Sequence, residues 1–136
     1  MAGSVLVDAG FLIALLSRRD HHHAWAAAQS PGLSLPWKTC EAVLSEAFHL
    51  LGARGRPGLA TLLRRGAVVS AFDLYGELDR VLSLMQKYAQ VPMSLADACL
   101  VRMSETLADP VILTTDADFR IYRRHSRHVV PSVAPY

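Results

Sequence analysis

Short apolar runs alternate with longer amphipathic stretches along this chain. The apolar runs predict strands at residues 4–7, 33–35, 67–71, 111–114 and 129–130. Apolar residues that recur every three or four positions predict helices at residues 11–17, 21–29, 39–51, 58–65, 75–89 and 94–107. Strands that alternate with helices in this way indicate an α/β fold, with a mostly parallel central sheet of about five strands covered by helices on both faces.

Length and composition are typical of one globular domain. The chain has 136 residues, of which 51% are apolar, and neither a linker nor a repeat interrupts it, so we expect a single domain over residues 1–136. No apolar run approaches the about 20 residues that cross a bilayer, and no signal peptide is visible at the N-terminus. Cys40 and Cys99 fit no paired metal-binding spacing. We therefore expect a cytoplasmic protein whose two cysteines are reduced and lie in the core.

Acidic residues occur at places where such a fold would bring them together. Asp8 follows the first strand, and Asp116 and Asp118 follow the strand at 111–114. Glu46 lies at the margin of the apolar face of its helix, and Asp97 lies in the first turn of another helix. Because functional crevices of open α/β sheets form at the carboxyl ends of the strands, these side chains are candidates for one shared site.

Each acid also has a simpler structural explanation. Asp8 reads as a turn residue, Glu46 can extend into solvent, and Asp97 fits a capping box that begins at Ser94. Asp116 or Asp118 can cap the next turn. These explanations do not account for the acids recurring at two strand ends and on two helices. Carboxylates that converge repel one another unless a cation compensates them, and Mg²⁺ and Mn²⁺ prefer carboxylate oxygens.

Four segments carry a family resemblance. In order and spacing, VLVDAGFLIALL, VLSEAFHLL, MSLADACLV and ILTTDADF resemble the four acidic motifs of the PIN (PilT N-terminal) domain family, and among its small members the VapC-like toxins. The resemblance implies a Rossmann-like PIN sandwich and a Mg²⁺- or Mn²⁺-dependent endoribonuclease that hydrolyses RNA with a metal-activated water. It implies that the catalytic metal ligands are Asp8, Glu46, Asp97 and Asp116. Thr114 and Asp118 would support these four ligands without binding the metal directly.

One departure from the family concerns the residues after the first acid. Many members carry a serine or threonine within two residues of it, whereas Ala9 and Gly10 follow Asp8 here. Without that hydroxyl group, the motif does not show which residue holds the Asp8 carboxylate in place.

Positive charge and partners complete the prediction. Net charge is only +2, but arginines cluster near the C-terminus, and arginine suits phosphate because its planar fork donates two hydrogen bonds. The candidate RNA-binding residues are Arg120, Arg123, Arg124 and Arg127. The family resemblance further implies an antitoxin protein that covers the acidic cleft, and a homodimer formed through apolar helix faces.

Two other functions are compatible with parts of the pattern. A catalytically silent PIN-fold module that binds RNA or protein would keep the fold without turnover, and the absent hydroxyl after Asp8 favours it. A phosphatase of the haloacid-dehalogenase type also places an aspartate after its first strand, but it needs a second one two residues later, where Gly10 stands.

Overall fold

The computed structural model describes residues 3–136, so the predicted domain over residues 1–136 begins with two residues that lie outside the described part. The strands are β1 Ser4–Val7, β2 Trp37–Thr39, β3 Val68–Ser70, β4 Pro110–Leu113, β5 Arg123–Arg124, β6 His128–Val129 and β7 Ser132–Val133. The helices are α1 Ala9–Leu16, α2 His23–Gln29, α3 Glu41–Arg64, α4 Leu78–Lys87 and α5 Leu95–Thr106. Single 3₁₀ turns occupy Ser30–Gly32, Tyr75–Glu77 and Ala117–Arg120.

Five strands form one parallel sheet in the order β3-β2-β1-β4-β7. β1 lies at its centre and pairs with β4 from Ser4 opposite Pro110 to Val7 opposite Leu113. The next strands in sequence after β1, which are β2 and β3, lie on one side of it, whereas β4 lies on the other side. The strand order therefore reverses between β1 and β4. This arrangement confirms the predicted α/β class, and the reversal places the expected crevice beyond Val7 and Leu113.

Two predicted strands were placed wrongly. Residues 33–35 are not a strand, and Leu35 is 63% exposed; the strand beside β1 is instead β2, in which Trp37 and Thr39 are buried. The sequence of β2 is short and partly polar and directly follows a proline, so it contains no clear apolar run that would predict a strand. Residues 129–130 were predicted as the last strand, but His128–Val129 pairs with β5 in a separate antiparallel hairpin. The fifth strand of the main sheet is β7.

α3 runs from Glu41 to Arg64, but Gly52 divides it into two helices that meet at a kink. Gly52 has φ 64° and ψ −168°, a backbone conformation that glycine adopts without a steric penalty, and the predicted end of a helix at Gly52 is confirmed. The second helix, predicted for residues 58–65, begins earlier, directly after the kink. The first half of α3 packs along α1 and carries Glu46 toward the carboxyl end of β1.

A continuous apolar core lies between the sheet and its helices. β1 is buried from Val5 to Val7, and the ring of Phe11 meets the rings of Trp25 and Trp37 edge-on at centroid distances of 5.8 and 5.5 Å. Cys40 and Cys99 are free and buried, as the sequence predicted for core cysteines. Within residues 3–136 no helix combines the length and the apolar character that a bilayer crossing requires.

Candidate active site

A polar cavity of about 330 Å³ opens beyond the carboxyl ends of β1 and β4. Carboxylates dominate its wall, and they come from the end of β1, from α3, from α5 and from the turn after β4. The lining residues are Asp8, Gly10, Glu46, Pro92, Ser94, Asp97, Thr115, Asp116 and Asp118. The structure thus brings together all of the acids that the sequence singled out.

Asp8 is held rigidly although it is almost fully buried. It is the N-cap of α1, where its Oδ1 accepts a hydrogen bond of 2.7 Å from the Ala9 amide. Its Oδ2 accepts a hydrogen bond of 2.8 Å from the hydroxyl of Thr114, the residue that follows β4. The turn-residue explanation therefore describes the backbone correctly. It leaves unexplained why a residue 6% exposed faces an acidic cavity.

Asp97 is oriented by a buried tyrosine. Ser94 caps α5 by accepting a hydrogen bond of 3.0 Å from the Asp97 amide, so the serine half of the predicted capping box exists. The Asp97 carboxylate lines the cavity, where its Oδ2 accepts a hydrogen bond of 2.7 Å from the Tyr122 hydroxyl. The Tyr122 ring is fully buried and meets Tyr88 and Phe119 edge-on, which fixes the donor in place.

The remaining acids differ in how firmly they are held. The Asp116 amide donates to the Thr114 hydroxyl at 2.9 Å, and Asp116 Oδ1 accepts a hydrogen bond of 2.9 Å from the Asp118 amide. Thr114 therefore links the first acid to the fourth. Glu46 is on the exposed side of α3 and reaches the cavity from there.

The space beside Asp8 explains why no side chain stands at position 10. A β-carbon added at Gly10 would lie 2.1 Å from Oγ1 of Thr115, far inside van der Waals contact. The hydroxyl of Thr115 occupies the corner where a serine side chain at position 10 would project. The departure at Gly10 is therefore paired with a threonine that approaches from the turn after β4.

Burial and mutual repulsion favour the neutral forms of the acids. Burial, followed by the negative charge of Asp97, raises the pKa of Asp8 from 3.8 to about 7. Burial also raises the pKa of Asp97 to about 6, with the charge of Asp116 adding to it against the opposing hydrogen bond from Tyr122. The pKa of Asp118 is raised by burial and then by Asp116. A bound cation would reverse this tendency.

The donor chemistry of the cavity fits a hard divalent cation. Among the described residues its wall supplies carboxylate and hydroxyl oxygens and no imidazole or thiol, the set that Mg²⁺ and Mn²⁺ prefer. Yet within residues 3–136 no three carboxylate, imidazole or thiol groups already stand together closely enough to hold an ion. The residue types suit Mg²⁺ or Mn²⁺, but their carboxylates would have to move closer together to bind the same ion.

The predicted RNA-binding arginines have different environments. Arg124 donates to the carbonyl oxygens of Ser104 and Leu107 and so closes the end of α5. Arg123 donates to three nearby backbone carbonyls, beginning with that of Arg120. Both guanidinium groups are thus already engaged. Arg120 and Arg127 are exposed, and Arg120 lies over the ring of Tyr136.

Sequence reasoning missed three residues of this site. Tyr122 lies within the C-terminal basic cluster, and only its spacing of three residues from Phe119 indicates a buried aromatic face. Thr115 carries no signal beyond that of a polar residue after a strand. Nothing in the local pattern connects Tyr136 with Thr115, 21 positions earlier.

Comparison with known proteins agrees with this architecture. The family model for the PIN domain matches residues 5–124. Among solved structures, Mycobacterium tuberculosis VapC20, described as a toxin that cleaves the sarcin-ricin loop, superposes with a TM-score of 0.76 at 19% identity, over 85% of this chain and 92% of VapC20. Curated protein sequences give no significant match. The family match covers most of the chain and includes all four acidic motifs, and this chain belongs to the PIN domain family.

Proposed function

We propose that this chain is a metal-dependent endoribonuclease that hydrolyses RNA phosphodiester bonds. The observation that carries the proposal is the meeting of acids from four separate chain segments around one cavity at the point where strand order reverses. No structural role requires them to meet there. Burial, and then the charge of neighbouring acids, raises the pKa of Asp8 and Asp97, and a cation would offset this cost.

The proposed ligands of a Mg²⁺ or Mn²⁺ ion are Asp8, Glu46, Asp97 and Asp116. A divalent ion bound there would supply a nucleophile from water and would neutralise charge on the attacked phosphate. The protein's own contribution is to orient the carboxylates beforehand. The Thr114 hydroxyl holds Asp8, and the Tyr122 hydroxyl holds Asp97. Asp118 lies beside this set, where its carboxylate can accept a proton or a water hydrogen bond.

Substrate and partners follow from the same reasoning. The exposed guanidinium groups of Arg120 and Arg127 are available to phosphate, since neither takes part in an ion pair among the described residues. The structural likeness to VapC20, a toxin, supports a toxin role for this chain. We further propose an antitoxin that lays a segment, with an arginine, over the cleft, because the clustered acids lack a compensating cation. A homodimer and a cytoplasmic location stay predictions, and sedimentation velocity at micromolar concentration tests the dimer.

The experiment is cleavage of a mixture of structured RNAs by the purified protein in Mg²⁺, in Mn²⁺ and in EDTA. Asp8→Asn and Asp97→Asn remove a charge and keep a side chain of the same shape. Asp79→Asn is the matched control, because Asp79 is an exposed carboxylate on α4 that does not line the cavity. We expect cutting that requires the metal, that is lost in both site variants, and that persists in Asp79→Asn.

The opposite result has a clear meaning. If wild-type protein and Asp79→Asn bind RNA in the presence of metal but release no product, the chain is the silent binding module. Cleavage that survives EDTA and both site variants would contradict the assignment of the acids.

A further inference from the structure

The aromatic ring of Tyr136 lies on the rim of the acidic cleft. Its hydroxyl donates to the carbonyl oxygen of Thr115, and Thr115 lines the cavity between Gly10 and Asp116. β7 brings the chain to this position by pairing with β4 through Ile112–Ser132 and Leu113–Val133. Yet 51% of Tyr136 is exposed, so an aromatic surface faces solvent directly beside the acids.

Two neighbours define the character of this surface. The Arg120 guanidinium lies 5.0 Å from the centre of the Tyr136 ring, a cation–π contact. The His22 ring meets Tyr136 at 69°, with centroids 6.4 Å apart, and therefore contacts it edge to face without stacking on it. A flat ring, with a positive charge over one of its faces, thus stands at the mouth of a negatively charged cavity.

This combination suits one kind of ligand. Unpaired bases stack on aromatic rings and guanidinium planes, whereas paired bases have no free face to offer. Arginine adds a contact to the adjoining phosphate. A base that stacks on the part of the Tyr136 ring that Arg120 leaves exposed brings its phosphate near the Arg120 guanidinium group.

We propose that Tyr136 and Arg120 form a subsite for one unpaired nucleotide of RNA next to the acidic cleft. The ring stacks on the base, and Arg120 binds the neighbouring phosphate. This inference rests on the proposed function, because it assigns the substrate a single-stranded segment at the point of entry. A tethering role for Tyr136, through the Thr115 carbonyl alone, is the alternative.

Binding is measured without turnover, in EDTA at low ionic strength. A short single-stranded RNA with 2-aminopurine at one position reports stacking by fluorescence quenching, and anisotropy gives the affinity. The variants are Tyr136→Leu, Tyr136→Phe, Tyr136→Trp and Arg120→Gln. Tyr75→Leu is the matched control, since Tyr75 is 87% exposed and does not line the acidic cavity.

Expected results separate stacking from tethering. Tyr136→Leu should weaken binding about tenfold and abolish quenching, because one stacked base is lost. Tyr136→Phe and Tyr136→Trp should bind and quench as wild type does, although they lack the hydrogen bond to Thr115. Arg120→Gln should weaken binding and reduce its dependence on salt. Tyr75→Leu and a fully paired RNA of the same sequence should show no such effect.

Several results would overturn the subsite. These are wild-type affinity in Tyr136→Leu, an equal loss in Tyr136→Phe and Tyr136→Leu, and an absence of RNA binding by the wild type. The subsite fails alone if metal-dependent cleavage depends on Asp8 and Asp97 while Tyr136→Leu binds normally. The proposed nuclease fails alone if quenching depends on Tyr136 while no RNA is ever cut.

Discussion

Replacing Asp8 by asparagine should make the ion-free protein more stable, although the change removes a proposed ligand. Asp8 is buried among other carboxylates, and its pKa is raised from 3.8 to about 7. Between these values the folded state binds more protons than the unfolded state, so the stability contributed by this group falls as pH rises from about 4 through 7. Asparagine carries no charge and escapes this loss.

The expected magnitude follows from the size of the pKa change. A tenfold change in an equilibrium constant corresponds to about 1.4 kcal/mol, so the rise from 3.8 to about 7 lowers the free energy of unfolding by about 4 kcal/mol above pH 7. Asparagine keeps the cap on Ala9 through its oxygen and can donate to the Thr114 hydroxyl through its nitrogen. We therefore expect a gain of about 2–4 kcal/mol at pH 8 and near equality at pH 4.

Denaturant unfolding followed by the fluorescence of Trp25 and Trp37 measures this difference. Wild type, Asp8→Asn and the exposed control Asp79→Asn are compared in EDTA at pH 4 and pH 8. Added Mg²⁺ or Mn²⁺ should stabilise the wild type at pH 8 and should stabilise Asp8→Asn much less, because binding to the folded state alone adds to its stability. Asp79→Asn should stay within about 1 kcal/mol of the wild type at both pH values, the size of a helix-dipole contribution in the first turn of α4.

One result would refute the reasoning directly. If Asp8→Asn is less stable than wild type at pH 8 in EDTA, the carboxylate contributes to folding as an anion and the acidic cluster imposes no cost.

Three further changes test other contacts of the site. Tyr122→Phe should raise the pKa of Asp97 further, as seen by carboxyl NMR, and should cost about 1–3 kcal/mol at pH 8; an unchanged Asp97 titration would contradict the buried hydrogen bond. Gly10→Ala should cost about 1–3 kcal/mol in unfolding experiments through its clash with Thr115, and adding Thr115→Ala should restore most of it; no recovery would show that the clash lies elsewhere. Arg124→Gln should lower the melting temperature by uncovering two carbonyls at the end of α5, with RNA affinity unchanged in a filter-binding assay; the reverse pattern would make Arg124 an RNA contact.

The sequence predicted those parts of the fold that depend on local pattern and on sheet topology. β1 was predicted with its observed limits because an apolar β-branched run ends at a single acid. The convergence of Asp8 and Asp116 followed from the rule that parallel strands end at the same edge. Neither prediction needed knowledge of side-chain packing.

Contacts between distant residues could not be predicted in the same way. The Tyr122 hydroxyl donates to the Asp97 carboxylate across 25 positions of sequence. Thr115 fills the space over Gly10 across a far longer stretch of sequence. β7 has only two residues and owes its place to pairing with β4. The basic cluster was read as one RNA-binding group because charge is visible in a sequence, while the backbone carbonyls that engage Arg124 are not.

The uneven anchoring of the acids has a consequence for how readily an ion would enter and leave. Asp8 and Asp97 each accept a side-chain hydrogen bond, whereas Glu46 is exposed and accepts none among residues 3–136. For an ion held as proposed, ordering the Glu46 side chain costs up to about 2 kcal/mol of rotamer entropy, a cost that the fixed acids do not share. The residence time of such an ion would therefore be adjustable at position 46 without disturbing the core, and substitutions there would change its exchange rate while the fold stays constant.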